Sequence, residues 1–230
     1  MEFITRAFKT VNLQEFGTVS TPDLAFTYDL NCPHKRQYVL RMCIREPHKE
    51  FTIPDELLWV KDLVLQANQV QLSAGIKHAY CYITIRHGEH TAVTEDIWHT
   101  DGYSEVLTHI PEQNYIVTSN DCTEFVTLPI IFPRDFNTSK HDVVEYIDKV
   151  VTASDTTIQQ ALPNEVRVFD PYVIHRRPPG AFGKERTFVR VTFVPIEICD
   201  DACTPNPLLA PKFYNRSADT TRCTLQQYRS

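Results

Sequence analysis

IWHTDGY, residues 97–103, is the stretch on which the reading of this chain turns. In an extended segment, side chains at i and i+2 point to the same side, so His99 and Asp101 are set to converge on one object. An imidazole nitrogen beside a carboxylate oxygen suits a transition-metal ion. Gly102 after the carboxylate lets the backbone turn at positive φ without steric cost. Trp98 and Tyr103 are expected to pack around that turn.

Strand-like runs surround the motif. HAYCYITIRHG (78–88) is rich in β-branched and aromatic residues and places Tyr80, Tyr82, Thr84 and Arg86 on one face. Such a polar face either packs with its hydroxyls bonded to backbone or meets a ligand. QYVLRMCIRE (37–46), NYIVTSN (114–120) and EFVTLPIIFP (124–133, weakened at Pro129) read as further strands. So do NEVRVFDPYVIHRR (164–177) and ERTFVRVTFVPIEI (185–198), which the turn-rich PPGAFGK between them makes look like a hairpin with a long loop.

Helices are expected over 54–68, where Thr52 can cap and Pro54 suits a first turn, and over roughly 140–152, where Ser139 precedes Asp142 by three places. The tail after Cys199 has little periodicity and is expected to wrap the domain as irregular chain. Many short strands with two helices predict a mainly β barrel or sandwich with flanking helices.

Bulk properties narrow the class. With 230 residues, 42% hydrophobic and 23% charged, the chain reads as one globular domain. A formal net charge of −6 argues against a broad nucleic-acid-binding or membrane-adhering surface. No apolar run is long enough for a membrane span or a secretory signal, so a cytoplasmic location is expected. The seven cysteines are odd in number and scattered, which suits reduced thiols. Cys199 and Cys203 lack a second pair at a matching spacing for structural zinc. The glycosylation sequons at Asn137 and Asn215 carry no meaning without secretion.

His175, inside one of the last strands, completes a set of two histidines and one carboxylate with His99 and Asp101, a facial arrangement that leaves positions open on Fe(II). His-x-Asp, a distant His and a later Arg on the next strand resemble the Fe(II)/2-oxoglutarate-dependent dioxygenases, over about residues 78–198. The resemblance implies a double-stranded β-helix (jelly-roll, cupin-like) with Fe(II) at its mouth. It further implies 2-oxoglutarate as cosubstrate, O2 as oxidant, and an arginine deeper in the barrel on the cosubstrate's distal carboxylate.

Arg186 and Arg190 both face inward, with Phe188 and Thr192. If His175 opens its strand at the metal end, Arg186 begins the return strand at the far end and Arg190 lies ~13 Å back toward the metal, at ~3.3 Å per residue. This assigns Arg186 to the distal carboxylate and frees Arg190 for substrate; in the reversed assignment, Thr192 would assist whichever carboxylate Arg190 faces. Relatives with a similar double-arginine strand use the second arginine near the cosubstrate or an anionic substrate group, as the resemblance implies here. Tyr82 and Thr84 are the further cosubstrate candidates, and Tyr103 and Arg86 the further substrate candidates.

Arg176 and Arg177 read as a solvated turn before Pro178, yet with Arg86 and Arg190 they would also give a positive mouth suited to an amino acid, carboxylate or nucleotide. Chlorinating relatives replace the carboxylate with a small residue, so Asp101 favours hydroxylation or desaturation. The same ligand set also fits a cupin-like metal protein, or an oxygenase that needs no 2-oxoglutarate.

Overall fold

The long strands over Tyr80–Glu89 and Glu185–Val194 are buried along both faces and need cover on both sides, which a six-stranded sheet, a three-stranded sheet, a two-stranded pair and two helices supply among the described residues. The computed structural model describes residues 16–17, 22–89, 96–101, 112–127, 129–130, 141–154, 157–171, 173–180, 183–198 and 203–209. Among them lie β1 (Phe16–Gly17), β2 (Asp23–Thr27), β3 (Tyr38–Arg45), β4 (Tyr80–Glu89), β5 (Gln113–Thr118) and β6 (Glu124–Val126). Further along come β7 (Pro129–Ile130), β8 (Ile158–Gln160), β9 (Glu165–Phe169), β10 (His175–Arg176) and β11 (Glu185–Val194). A 3-10 turn over Asp55–Val60 leads into α1 (Lys61–Ser73), and α2 covers Val143–Ala153. No described helix is long and apolar enough to cross a membrane.

The large sheet is antiparallel with order β2-β9-β5-β11-β4-β3. A small sheet runs β10-β6-β8, and β1 pairs with β7. In the large sheet, partners in register share a face, so Ile83, Ile85, Val189 and Val191 lie together with Leu40 and Met42. That apolar face packs against Leu57, Val60, Leu63, Val64 and Ala67 of the helical segment. The opposite face carries Arg86, Arg186, Phe188 and Arg190. Near the end of β4, Gly88 has φ +116°, and a Cβ there would meet the Gln37 backbone at 2.9 Å. Only glycine fits.

A second apolar cluster joins Trp98, Val126 and Ile174 to Val143, Ile147 and Val151 of α2. The tail segment 203–209 covers the edge strand β3: Thr204 N–H donates to Arg41 O at 2.6 Å, and Asn206 Nδ2 donates to Cys43 O at 2.9 Å and Thr52 O at 2.8 Å. An edge so covered offers fewer open groups to another chain.

Several sequence expectations change. The run 164–177 is two strands in different sheets, β9 and β10, broken around Asp170 and Pro171, because proline has no N–H to continue a ladder. No hairpin joins 164–177 to 185–198, since β5 separates β9 from β11. Pro54, with φ −60° and ψ 154°, is the N-cap in place of Thr52, and the helix runs on to Ser73. Strands β1, β2 and β8 escaped the sequence reading. Asn137, Ser139, Cys199 and Asn215 lie outside the described residues.

Asp142 caps α2, its Oδ1 accepting from Val144 N at 2.8 Å and Glu145 N at 3.1 Å. Replacing Asp142 with Ala is expected to lower stability by about 1 kcal/mol, read as a shifted urea midpoint. An unchanged midpoint would show that the cap contributes nothing.

Candidate metal centre

His99 and His175 face each other across an isolated antiparallel bridge: His99 N–H donates to His175 O at 3.0 Å and His175 N–H to His99 O at 2.9 Å. Residues opposed in this way share a face. Their ring centroids lie 4.6 Å apart. Each ring is fixed in the same manner, with Nδ1 of His99 2.8 Å from Ile97 O and Nδ1 of His175 2.9 Å from Val173 O. A carbonyl only accepts, so Nδ1 carries the proton in both rings and Nε2 presents its lone pair.

Asp101 completes the set. One ligand atom from each of His99, Asp101 and His175 lies within 4.8 Å of the others, and His175 Nε2 is 3.8 Å from Asp101 Oδ2. Burial pushes His175 down to about 4, outweighing the opposing pull of Asp101. The ring is therefore neutral near pH 7, and its approach to Asp101 is not an ion pair. Two imidazoles and a carboxylate on one wall of a cavity fit a divalent transition ion with open positions.

The loop that carries this set is anchored from behind. Trp98, 1% exposed, sits in the α2 cluster, and its N–H donates to Asp148 Oδ1 at 2.9 Å. The bridge register sets Trp98 opposite Arg176, whose guanidinium carbon lies 4.1 Å from the Trp98 ring centroid. Arg176 Nε also donates to Glu124 Oε2 at 2.8 Å. Phe125, in register with His175, and Phe169 wall the imidazole with ring centroids at 6.3 and 5.4 Å.

A cavity of about 80 Å³ opens in front of the set, lined by Arg86, His99, Asp101, Thr123, His175, Arg176, Arg177, Arg186, Phe188 and Arg190. Arg186 is 3% exposed, and its Nη2 donates to Thr123 Oγ1 at 3.3 Å. Its Nε is buried without a hydrogen-bond partner among the described residues. Burial lowers Arg186 to about 10, which leaves it charged at neutral pH. Arg190 Nη1 donates to Asp101 Oδ2, and its Nε has no hydrogen-bond partner among the described residues. The two inward arginines of β11 thus serve different places, Arg190 the Asp101 carboxylate and Arg186 the Thr123 side.

Of the other sequence candidates, Arg86 lines the cavity and Tyr103 lies outside the described residues. Tyr82, Thr84 and Thr192 share the inward face but are not in the lining. The Tyr82 hydroxyl accepts from Ile198 N at 2.9 Å, and Thr192 Oγ1 donates to Asn114 Oδ1 at 2.8 Å, so both hydroxyls are engaged at the other end of the strands. Arg177 is not solvated as expected: it is 3% exposed and donates to Asp96 Oδ1 at 2.7 Å. Thr123 and Phe125 were missed, although their i, i+2 spacing opposite His175 is the same period-2 signal that singled out His99 and Asp101.

No protein-family profile and no curated protein matches the chain. Solved structures are similar at a distance. AviO1 from Streptomyces viridochromogenes is 18% identical with TM-score 0.38, over 81% of this chain and 78% of that one. A non-heme alpha-ketoglutarate-dependent carbocyclase of nogalamycin biosynthesis, SnoK, is 12% identical with TM-score 0.41, over 60% of each chain. EvdO2 from Micromonospora carbonacea var. aurantiaca, complexed with 2-oxoglutarate, is 14% identical with TM-score 0.32, over 73% of this chain and 82% of that one. Likenesses so loose leave the chemistry to be read from this chain's own residues.

The depressed pKa of His175 makes a stability prediction. The unfolded chain takes up a proton near pH 6.5 that the folded chain refuses until about pH 4, so stability is full above the first value and lost as pH falls toward the second. The gap corresponds to about 3 kcal/mol. Urea unfolding of the metal-free protein should show this slope in wild type and a flatter one in His175→Gln; parallel curves would contradict the burial argument.

Proposed function

We propose that the chain is an Fe(II)- and 2-oxoglutarate-dependent oxygenase on one double-stranded β-helix domain, with its core over about residues 78–198. The winding supports this fold: β4 lies in the large sheet and the His99 segment bridges the small one. β5 is in the large sheet, β6 and β8 in the small, β9 in the large, β10 in the small and β11 in the large. Alternation of this kind between two antiparallel sheets is the path of a jelly roll.

The observation that carries the functional reading is the pairing, in one cavity, of a candidate metal donor set with a buried guanidinium that has no carboxylate partner among the described residues. A cupin-like metal-binding protein needs only His99, Asp101 and His175. Arg186 buried on a Thr123 hydroxyl costs stability in such a protein and offers nothing in return. An anionic cosubstrate gives it a role, because a guanidinium matches a carboxylate through two charge-assisted hydrogen bonds.

When bound, Fe(II) and 2-oxoglutarate would supply O2 activation, with succinate and CO2 released as a C–H bond of a small substrate is hydroxylated. His99 and His175 hold the ion through Nε2, each ring oriented by its Nδ1 hydrogen bond. Arg190 restrains Asp101 by donating to its Oδ2, and so fixes how the carboxylate meets the ion. Arg186 and Thr123 seat the distal carboxylate. Phe125, Phe169 and Phe188 keep water from that side. The carboxylate of Asp101 leaves no halide position, which favours oxygen insertion over chlorination.

Succinate formed from 2-oxoglutarate with Fe(II) under air, read by mass spectrometry, tests the proposal. Wild type should give slow uncoupled turnover, and Arg186→Ala should weaken 2-oxoglutarate binding by on the order of 100-fold, equivalent to roughly 3 kcal/mol for stripping a buried charge of its partner. No succinate from wild type under any condition would leave the metal-binding protein as the better reading.

A further inference from the structure

The two histidines are oriented alike and supported unlike. His175 is set by Val173 O, and Val173 is buried in the main core cluster, with Phe125 and Phe169 walling the ring. His99 is set by Ile97 O at 2.8 Å, yet Ile97 is 39% exposed, so core packing does not fix that carbonyl. Were the carbonyl free to turn away, a neutral His99 would exchange its proton between its two nitrogens. An Nε2 that carries the proton has no lone pair for an ion.

The carbonyl is held through its own peptide. Ile97 C=O and Trp98 N–H belong to one trans peptide unit, whose two polar groups point in opposite directions. Asp148 Oδ1, on α2, accepts from Trp98 N–H at 2.9 Å and thereby aims Ile97 O the other way, at Nδ1 of His99. The contacts run in series: carboxylate to peptide N–H, peptide C=O to imidazole N–H. Hydrogen bonds in series polarise one another, so a negative Asp148 makes Ile97 O a better acceptor and Nε2 of His99 a better donor to a metal. The preceding residue is tethered as well. Asp96 Oδ1 accepts from Arg177 Nε at 2.7 Å, across 81 residues of sequence, and the Arg177 side chain is 1% exposed. Arg176 pairs differently, with Glu124, its register partner on β6, which ties β10 to its own sheet. Arg177 reaches across to the His99 segment instead.

Resting on the oxygenase reading above, in which His99 is a metal ligand, we propose that Asp148 is a positioning residue for His99. It acts from outside the cavity lining through the Ile97–Trp98 peptide, with the Asp96–Arg177 pair as the second tether of that peptide. Together they keep the proton of His99 on Nδ1 and leave Nε2 open.

The test reads the tautomer directly, from the imidazole nitrogen shifts of the metal-free full chain carrying isotope-labelled histidine, at mildly alkaline pH. His99→Gln and His175→Gln assign the signals. In wild type both rings should carry the proton on Nδ1. Asp148→Ala should turn His99 into a mixture of tautomers while His175 keeps its own, an internal control for folding. Asp148→Asn, which keeps an acceptor and loses the charge, should lie between, and Asp96→Ala should shift His99 in the same direction as Asp148→Ala. Calorimetric titration with Mn(II) should show binding weakened by on the order of 10-fold in Asp148→Ala, as for other groups that orient a ligand from behind. The proposal is overturned if His99 keeps its tautomer in Asp148→Ala, or if both histidines change together there and in Asp96→Ala. Should Asp148→Ala shift the His99 tautomer while wild type binds no Mn(II), the positioning of the ring stands and the oxygenase reading falls.

Discussion

Two backbone hydrogen bonds between His99 and His175 join segments far apart in the chain, and the candidate centre depends on them. Because opposed residues share a face, this register turns both rings to the same side and brings Asp101, two residues on, with them. A slip of one residue would turn His99 away and present Trp98 instead. Trp98 guards against that slip. Its ring is buried beside α2, its backbone N–H donates to Asp148, and Arg176 lies over its face. The second helix, none of whose residues lines the cavity, thereby fixes the segment that carries His99.

The large sheet divides its labour between its faces. The outer face packs Ile83, Ile85, Val189 and Val191 against the helical segment, and burial of this kind supplies the main favourable term in folding. The inner face is free to carry groups that oppose stability. Arg186 is buried with a single hydrogen-bond partner, the Thr123 hydroxyl, among the described residues. Unpaired charge of this kind is retained where a ligand completes it, and here it lies in the same cavity as the histidine and aspartate donors.

Legibility in the sequence followed the range of the signal. His99 and Asp101 were readable because a period of two is local, and the inward face of β11 was readable for the same reason. The alternation of NEVRVFDPYVIHRR was read as one strand, but alternation does not say which sheet a residue joins, and the break at Pro171 moved His175 from the large sheet to the small. Arg177 looked solvated because its partner Asp96 is remote in sequence. Thr123 gained its place only from the pairing of β6 with β10. Cosubstrate roles for Tyr82 and Thr192 were argued from their face alone, whereas position along the strand sets them beyond the cavity lining, with Ile198 and Asn114 as partners.

The most direct measurement of the central claim is anomalous diffraction from crystals grown with Mn(II) and N-oxalylglycine. One peak is expected between Nε2 of His99, Nε2 of His175 and the Asp101 carboxylate, with the analogue reaching from that ion to Arg186. A folded chain whose manganese lies elsewhere, or whose histidines coordinate through Nδ1, would contradict it.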